Sequence, residues 1–560
     1  MMPFDISVRM AFAVGAAALT LGAFNAAERA IRKAGESIDE ETYRTLVAGL
    51  STDDMGGREP GTAGEQRTVE YLEEQFLELG LQPVRGGSFR QEVPLVEITA
   101  TEAKLSFRKG AGGMDLAFGD DMVIGTRRVR PESSIADSEV VFVGYGIVAP
   151  EYDWNDYAGL DMRGKTALIL VNDPGFVTGA AELFRGKAMT YHGRWTYKFE
   201  EAARQGAAAA IIIHDTAPAA YDWGVVRNGW TGSQFYLESA DGNAGRTALE
   251  GWITHDRARQ LMEMAGQDLA ALEGAAVERG FRAVPLGVTA QGGVRNGIRR
   301  MKSPNLAAVM PGKDRPDQYV IYMAHWDHLG MTDDAAEDRI VNGAVDNATG
   351  VAGILTIAQG FRSLLPGPSR SILFLAVTAE ESGLIGSEYY AQKPLIPLEK
   401  TAAVFNIDAL NPLGRAKDIE VIGFGASELE GLLAEAAKDQ GRTLTADRRS
   451  EAGYFYRSDH FNFAKAGVPA LYIKSGTALR DQPPGTGLAR YDEYYAVNYH
   501  KPSDEYEDRW DVSGSIEDLR LLFEVGAKVA NAKTWPEWYE GNEFRAVRDA
   551  SAKSRAAEAE

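Results

Sequence analysis

The chain has 560 residues, 80 of them acidic and 59 basic, for a formal net charge of −21, and it contains no cysteine. Its length exceeds what one hydrophobic core fills, so two or more domains are expected, and the acidic balance argues against nucleic acid or an anionic membrane surface as partner. Without thiols there is no disulfide framework and no thiolate ligand, so a bound metal would fall to His, Asp and Glu.

In chain order, Arg9 precedes the apolar run Met10 to Phe24, too short for a comfortable membrane span and about the length of a signal-peptide core. Export, to the periplasm or the cell exterior, is the expectation. Phe24 and Asn25 interrupt the small-residue cleavage pattern, which leaves an uncleaved anchor open. Residues 38 to 82 predict two helices joined by the turn-rich stretch from Ser51 to Gly64. In the second, Val69, Leu72, Phe76 and Leu79 fall at helical spacing, and Gly80 is the stop. From about 100 to 295 the texture becomes short β-like runs, such as Val140 to Val143 and Ala167 to Val171. One helix is expected there, around Tyr197 to Gln205, before the apolar run Ala207 to Ile213, and the whole reads as a separate β-rich module.

After Pro304, strand and helix alternate. Strands are expected at 319–324, 371–377, 402–407, 419–423 and 469–473, and helices at 349–364, 384–392, 427–440, 460–466 and 514–532. The pattern predicts an α/β fold with a mostly parallel, doubly wound sheet covered on both faces. The final stretch, Glu543 to Glu560, is rich in Ala, Glu, Lys and Arg and is expected as a solvated helix.

In open α/β sheets, sites lie beyond the carboxyl ends of the strands. Those ends carry His325-Trp-Asp327-His-Leu-Gly330, then Asn342-Gly-Ala-Val-Asp346, then Glu380 and Glu381, then Asn406-Ile-Asp408, and last Tyr499-His500-Lys-Pro-Ser-Asp504. The apolar run Ile372 to Val377 ends on two adjacent carboxylates, which is costly unless a cation is near. The donor set suits two zinc ions: His325 and Asp408 for one, Glu381 and His500 for the other, and Asp346 between them. Glu380 then stands beside the ions as general base for a metal-activated water.

These motifs resemble the zinc aminopeptidase family that includes glutamate carboxypeptidase II and the transferrin receptor. The matching segments are His-x-Asp at 325–327, Asn-Gly-Ala-x-Asp-Asn-x-Thr-Gly at 342–350, Glu-Glu-x-Gly-x-x-Gly-Ser at 380–387, Asn-x-Asp at 406–408 and Tyr-His at 499–500, with a weaker match at Gly57 to Thr62. The resemblance implies the same five ligands with two Zn2+ per chain, Glu380 as base and Tyr499 as a phenol for the tetrahedral oxyanion. It also implies Asp327 and Asp504 behind the ligands, orienting His325 and His500. Val143-Gly-Tyr-Gly-Ile147, Asp156 to Lys165 and Lys198 to Ala210 likewise resemble a protease-associated domain. The implied organisation is a signal peptide or anchor at 1–27, a discontinuous zinc peptidase domain at 28–130 and 296–535, a protease-associated insert at 131–295 and a tail at 536–560. The implied function is an aminopeptidase acting on peptides. A carboxypeptidase or dipeptidase of the same family, and a noncatalytic peptide-binding receptor on the same fold, are the alternatives.

Other features have plainer readings. Ser458 or Asp459 is expected to cap the helix that follows and to stand behind the ligands. His328 lines the pocket, and His192, His214 and His255 serve the module's structure. Gly144 to Ala149 mimics a dinucleotide fingerprint, but Pro150 denies the helix that would bind the phosphates. No Gly-x-Ser-x-Gly elbow is present.

Overall fold

A computed structural model describes residues 26–84, 86–332 and 338–559; nearly all of the segment expected as a signal peptide or anchor, 1–27, lies outside them. Among the described residues no helix is long and apolar enough to cross a membrane. After a helical stretch at residues 26–35 come two helices, α1 (Glu40–Leu50) and α2 (Ala63–Glu78). Asp39 caps the first by accepting from Thr42 N at 2.9 Å, and Thr62 caps the second. Val69, Leu72 and Phe76 are buried as the spacing predicts, and Leu79, at the helix end, is partly buried against the same core.

The module that follows contains β1 (Arg90–Lys109), β2 (Glu132–Phe142), β3 (Thr166–Leu170), β4 (Ala209–His214) and β5 (Leu249–Thr254). β2, β3, β4 and β5 pair in parallel, with α3 (Trp195–Arg204) preceding β4 and α4 (His255–Ala265) following β5. It is therefore an α/β unit in its own right, richer in helix than its short apolar runs suggest. The next strand, β6 (Val284–Met310), is 27 residues long. It pairs antiparallel with β1 over most of its length and, at Leu306 to Met310, with the main sheet, so one hydrogen-bonded strand stitches both units together. The expected boundary at 295/296 falls within this strand.

The main sheet adds β7 (Arg315–His325), β8 (Arg370–Val377), β9 (Thr401–Asn406), β10 (Asp418–Val421), β11 (Thr443–Ala446) and β12 (Ala470–Ser475), in the order β11-β10-β12-β9-β7-β8-β6. β12, β9, β7 and β8 run parallel, while β6 runs antiparallel to β8 and β10 antiparallel to β12 but parallel to β11. All eight residues of β8 are buried, as a strand covered on both faces requires. One face packs on α1, α5 (Thr349–Ser363), α6 (Leu429–Asp439) and, after them, α9 (Ser513–Asn531), through Val351, Ile354, Leu433, Leu519 and Phe523. The other face is covered by Tyr390, Phe461, Phe463, Trp538 and Phe544, the middle pair from α7 (His460–Lys465).

Two stretches differ from the sequence reading. The one before Tyr499, where no helix is expected, forms α8 (Thr486–Val497), entered after Gly485 at φ 87°. The C-terminal stretch is not a solvated helix at its start. Phe544 is buried, and Arg548 in α10 (Arg545–Ala559) is 1% exposed, donating to the carbonyls of Thr401 and Ala402 at 3.1 and 3.2 Å. Just before it, Glu543 accepts from Tyr191 N of the module at 3.4 Å and from Tyr456 Oη at 2.7 Å. A mostly polar segment is thus anchored to the sheet through two buried side chains, which composition does not show.

Candidate metal centre

Each candidate donor stands just beyond a buried strand or turn that fixes its main chain. His325 closes β7; its Nδ1 donates to the carbonyl of Asp327 at 3.2 Å, which leaves Nε2 facing inward. Nε2 lies 3.3 Å from Asp346 Oδ1 and 3.7 Å from Asp408 Oδ1. On the other side of Asp346, Oδ2 is 3.2 Å from His500 Nε2, which is also 3.2 Å from Glu381 Oε2. Asp346 is thus the group that faces both histidines.

Supporting contacts hold these donors. The Asp327 carboxylate accepts from Glu380 N at 3.0 Å and Glu381 N at 3.3 Å, tying the end of β7 to the end of β8. It stands 3.8 Å from His325 Nδ1, so the carbonyl of Asp327, rather than its carboxylate, makes the closer contact to that ring. Asp504 accepts from Val345 N and Asp346 N, both at 3.1 Å, and from Tyr494 Oη at 3.0 Å. The expectation that Asp504 orients His500 is therefore corrected: it holds the main chain at Asp346. Ser458 Oγ donates to Asp408 Oδ2 at 2.5 Å and accepts from Asn406 Nδ2 at 2.6 Å. Asp459 makes no capping bond; it accepts from Ser387 Oγ at 2.6 Å. Tyr499 stacks on His500, with ring centroids 3.8 Å apart. His192, His214 and His255 bond Glu151, the carbonyl of Tyr221, and Glu273.

The electrostatics show what this arrangement wants. Burial opposes charge on His500, yet Glu381 and Asp346 raise its pKa to about 10; His325, also buried, is driven well above its usual range by Glu380, Asp346 and Asp408. Burial also works against charge on Glu381, but His500 and His328 bring it to about 2. Glu380 goes the other way, held well above the carboxylate range by burial and by the neighbouring charges of Glu381, Asp408 and Asp459. Burial and neighbouring charges thus shift the two adjacent glutamates in opposite directions.

The donor set fits a metal. Two donors about 2.1 Å from one tetrahedral ion stand about 3.4 Å apart, and the four inward-facing pairs measure 3.2, 3.2, 3.3 and 3.7 Å. His325, Asp346 and Glu381 form one potential metal-holding cluster, and His325, Glu380 and Asp408 another. Glu380 is therefore near enough to one cluster to touch what sits there. His328 was expected only to line the pocket, but its Nδ1 lies 2.6 Å from Glu381 Oε1. Its place next to Asp327 in sequence was the available hint; the contact needs β7 and β8 side by side.

Residues 305–523 match the family model described as Peptidase family M28. A stretch of 129 residues, 22% of this chain, is 36% identical to aminopeptidase NAALADL1 of Mus musculus, over 16% of that protein. A stretch of 190 residues, 33% of the chain, is 26% identical to the glutamate carboxypeptidase 2 homolog of Caenorhabditis elegans, over 23% of it. The chain thus spans between 16% and 23% of the length of these curated relatives. Among solved structures, an aminopeptidase from Aneurinibacillus sp. strain AM-1 aligns over 90% of this chain and 96% of that one, at 21% identity and a TM-score of 0.49.

Proposed function

We propose, from the premise that residues 305–523 are a peptidase family M28 segment, that this chain is a two-zinc metallopeptidase removing N-terminal residues from peptides. One observation carries the reading: donor atoms from five separated places in the chain face one another at the separations that a shared divalent ion imposes. His325 and Asp408 would hold one ion and Glu381 and His500 the other, with Asp346 common to both. When bound, such a pair polarises a substrate carbonyl and makes water acidic enough to serve as nucleophile near neutral pH.

The chain's own groups do the rest. Glu380 takes a proton from the attacking water as the C–O bond forms, and passes it to the leaving nitrogen as the C–N bond breaks. Its raised proton affinity suits it to hold that proton between the two transfers. Burial and the charges of Asp346 and Glu381 keep the Tyr499 phenol protonated, so it can donate to the developing oxyanion. Asp327 keeps both glutamates in register through their main-chain N–H groups. In this reading residues 131–295 are a protease-associated insert and the chain is exported. Glu380→Gln should keep both metals by elemental analysis and lose hydrolysis of a chromogenic amino-acid anilide by orders of magnitude; unchanged hydrolysis refutes the base. Asp346→Ala should lose metal.

A second reading, carboxypeptidase or dipeptidase, is favoured by a group of cations. Lys474 on β12 is 5% exposed and donates to Tyr495 Oη at 2.9 Å, and it pairs with no carboxylate among the described residues. Lys474, Arg457 and Arg449 all stand over the ring of Tyr454, at 5.2, 5.2 and 5.9 Å. Arg194 of the module is buried against this loop, its Nε without a partner. Such cations suit a substrate carboxylate. Peptides with a free or blocked amine, each with a free or amidated carboxyl end, separate the two readings by which block stops cleavage.

A further inference from the structure

One imidazole at the centre has no part in the mechanism above. His328 is 1% exposed, and its Nδ1 lies 2.6 Å from Glu381 Oε1, while the other oxygen of Glu381, Oε2, faces His500 Nε2 at 3.2 Å. The first separation is too short for two ligands of one ion. Donors about 2.1 Å from a common centre come within that distance only if the angle between them closes to about 80°, against about 109° in a tetrahedral site. It is instead the length of a charge-assisted hydrogen bond. The ring has little room to leave it. The main-chain N of His328 donates to the Arg58 carbonyl at 3.3 Å, and the ring packs so closely on Gly343 that a Cβ there would fall 2.4 Å from Cδ2.

Glu380 is treated differently. Both glutamates have their main chains fixed by Asp327, but no described side chain donates a hydrogen bond to the Glu380 carboxylate, whereas one oxygen of Glu381 is taken by His328. The pair is thereby divided into one carboxylate held by a side-chain donor and one held only through its main chain.

We propose that His328 is a positioning residue: it donates Nδ1–H to Glu381 Oε1, so that Glu381 presents Oε2 alone to the ion it would share with His500. This rests on the two-zinc reading. Without the donor, Glu381 can rotate or offer both oxygens, and outer contacts of this kind govern metal affinity by about 10–100-fold.

The test uses the full chain and three variants. In His328→Asn the amide nitrogen falls near the place of Nδ1, in His328→Gln it falls near Nε2, and His328→Leu keeps bulk without any donor. Zinc affinity is read by competition with a chromophoric chelator, and the coordination of the Glu381 ion by the visible spectrum after cobalt substitution. The Asn variant should bind both ions within about threefold of wild type, while the Gln and Leu variants should bind one ion about 10–100-fold more weakly, with an altered cobalt spectrum. Wild-type affinity for both ions in the Gln and Leu variants overturns the proposal, as does an Asn variant as weak as the Gln variant. If the Leu variant does not fold, the contrast between Asn and Gln decides. A wild-type chain that binds no zinc overturns the two-zinc reading itself and this proposal with it; one that binds two ions regardless of residue 328 overturns the proposal alone.

Discussion

Arg58 is where the N-terminal turn and the metal centre meet, and replacing it tests whether that turn builds the site. Its guanidinium is 1% exposed and donates to four carbonyls: Leu50 at 2.8 Å, Trp326 at 2.8 Å, Asn342 at 2.5 Å and Gly343 at 2.9 Å. Two of these belong to the segment leading to Asp346, and one sits between His325 and Asp327. Burial lowers its pKa to about 10, against the pull of Asp504, Asp327, Asp346 and Glu381, so the group stays charged at neutral pH and offsets part of the acidic cluster. Arg58→Ala strands all four acceptors. At a net of about 1–1.5 kcal/mol per hydrogen bond lost, the cost is roughly 4–6 kcal/mol, a large part of a typical folding free energy of about 5–15 kcal/mol. Arg58→Lys keeps the charge but cannot span four acceptors with one ammonium, and should lose roughly half as much. Urea denaturation gives the stability, and elemental analysis the metal held by the folded fraction; both variants should be deficient in both. An Arg58→Ala chain with wild-type midpoint and full metal content would show that the turn is not a support of the centre.

Gly526→Ala places a Cβ 1.7 Å from the hydroxyl of Tyr322, which donates to Leu522 O on the same helix at 2.9 Å. A destabilisation of about 1–3 kcal/mol or more is expected, read as a lower thermal midpoint; an unchanged midpoint contradicts the packing. Burial holds the pKa of His460 down to about 3, so between that value and about 6.5 the unfolded chain binds a proton that the folded chain refuses. Stability is therefore lost as pH falls through this window, by about 2 kcal/mol between pH 6.5 and 5 from this residue alone. His460→Phe should flatten the pH dependence of the denaturation midpoint by that amount, and identical slopes count against a buried neutral imidazole. Tyr499→Phe should retain metal and lower kcat by about 10²-fold, the scale of one lost oxyanion donor; unaltered kcat removes the phenol from the mechanism.

The extent to which the sequence was legible differs from element to element. The strands around Ile372 to Val377 and Tyr319 to Ala324 were readable because a strand covered on both faces must be apolar at every position, and the helix Thr349–Ser363 because its stripe must face one side. The helix Thr486–Val497 was not, since among its residues only Gly487 is buried and no stripe marks it. The burial of Phe544 and Arg548 is not legible for a related reason: a charged side chain satisfied by carbonyls looks, in one dimension, like a solvated one.

The candidate donors followed from the sequence by itself, because acids and imidazoles placed where buried strands end are costly without a cation and the chain has no thiol to share the task. Only the tertiary structure decided which atoms face one another and what stands behind them. His328 beside Glu381, Asp504 under the main chain at Asp346, and Arg58 on the carbonyls of Trp326, Asn342 and Gly343 are contacts between residues 53 to 285 apart. Hydrogen bonds of about 3 Å depend on where packed elements come to rest, and residue order along the chain carries no record of that distance.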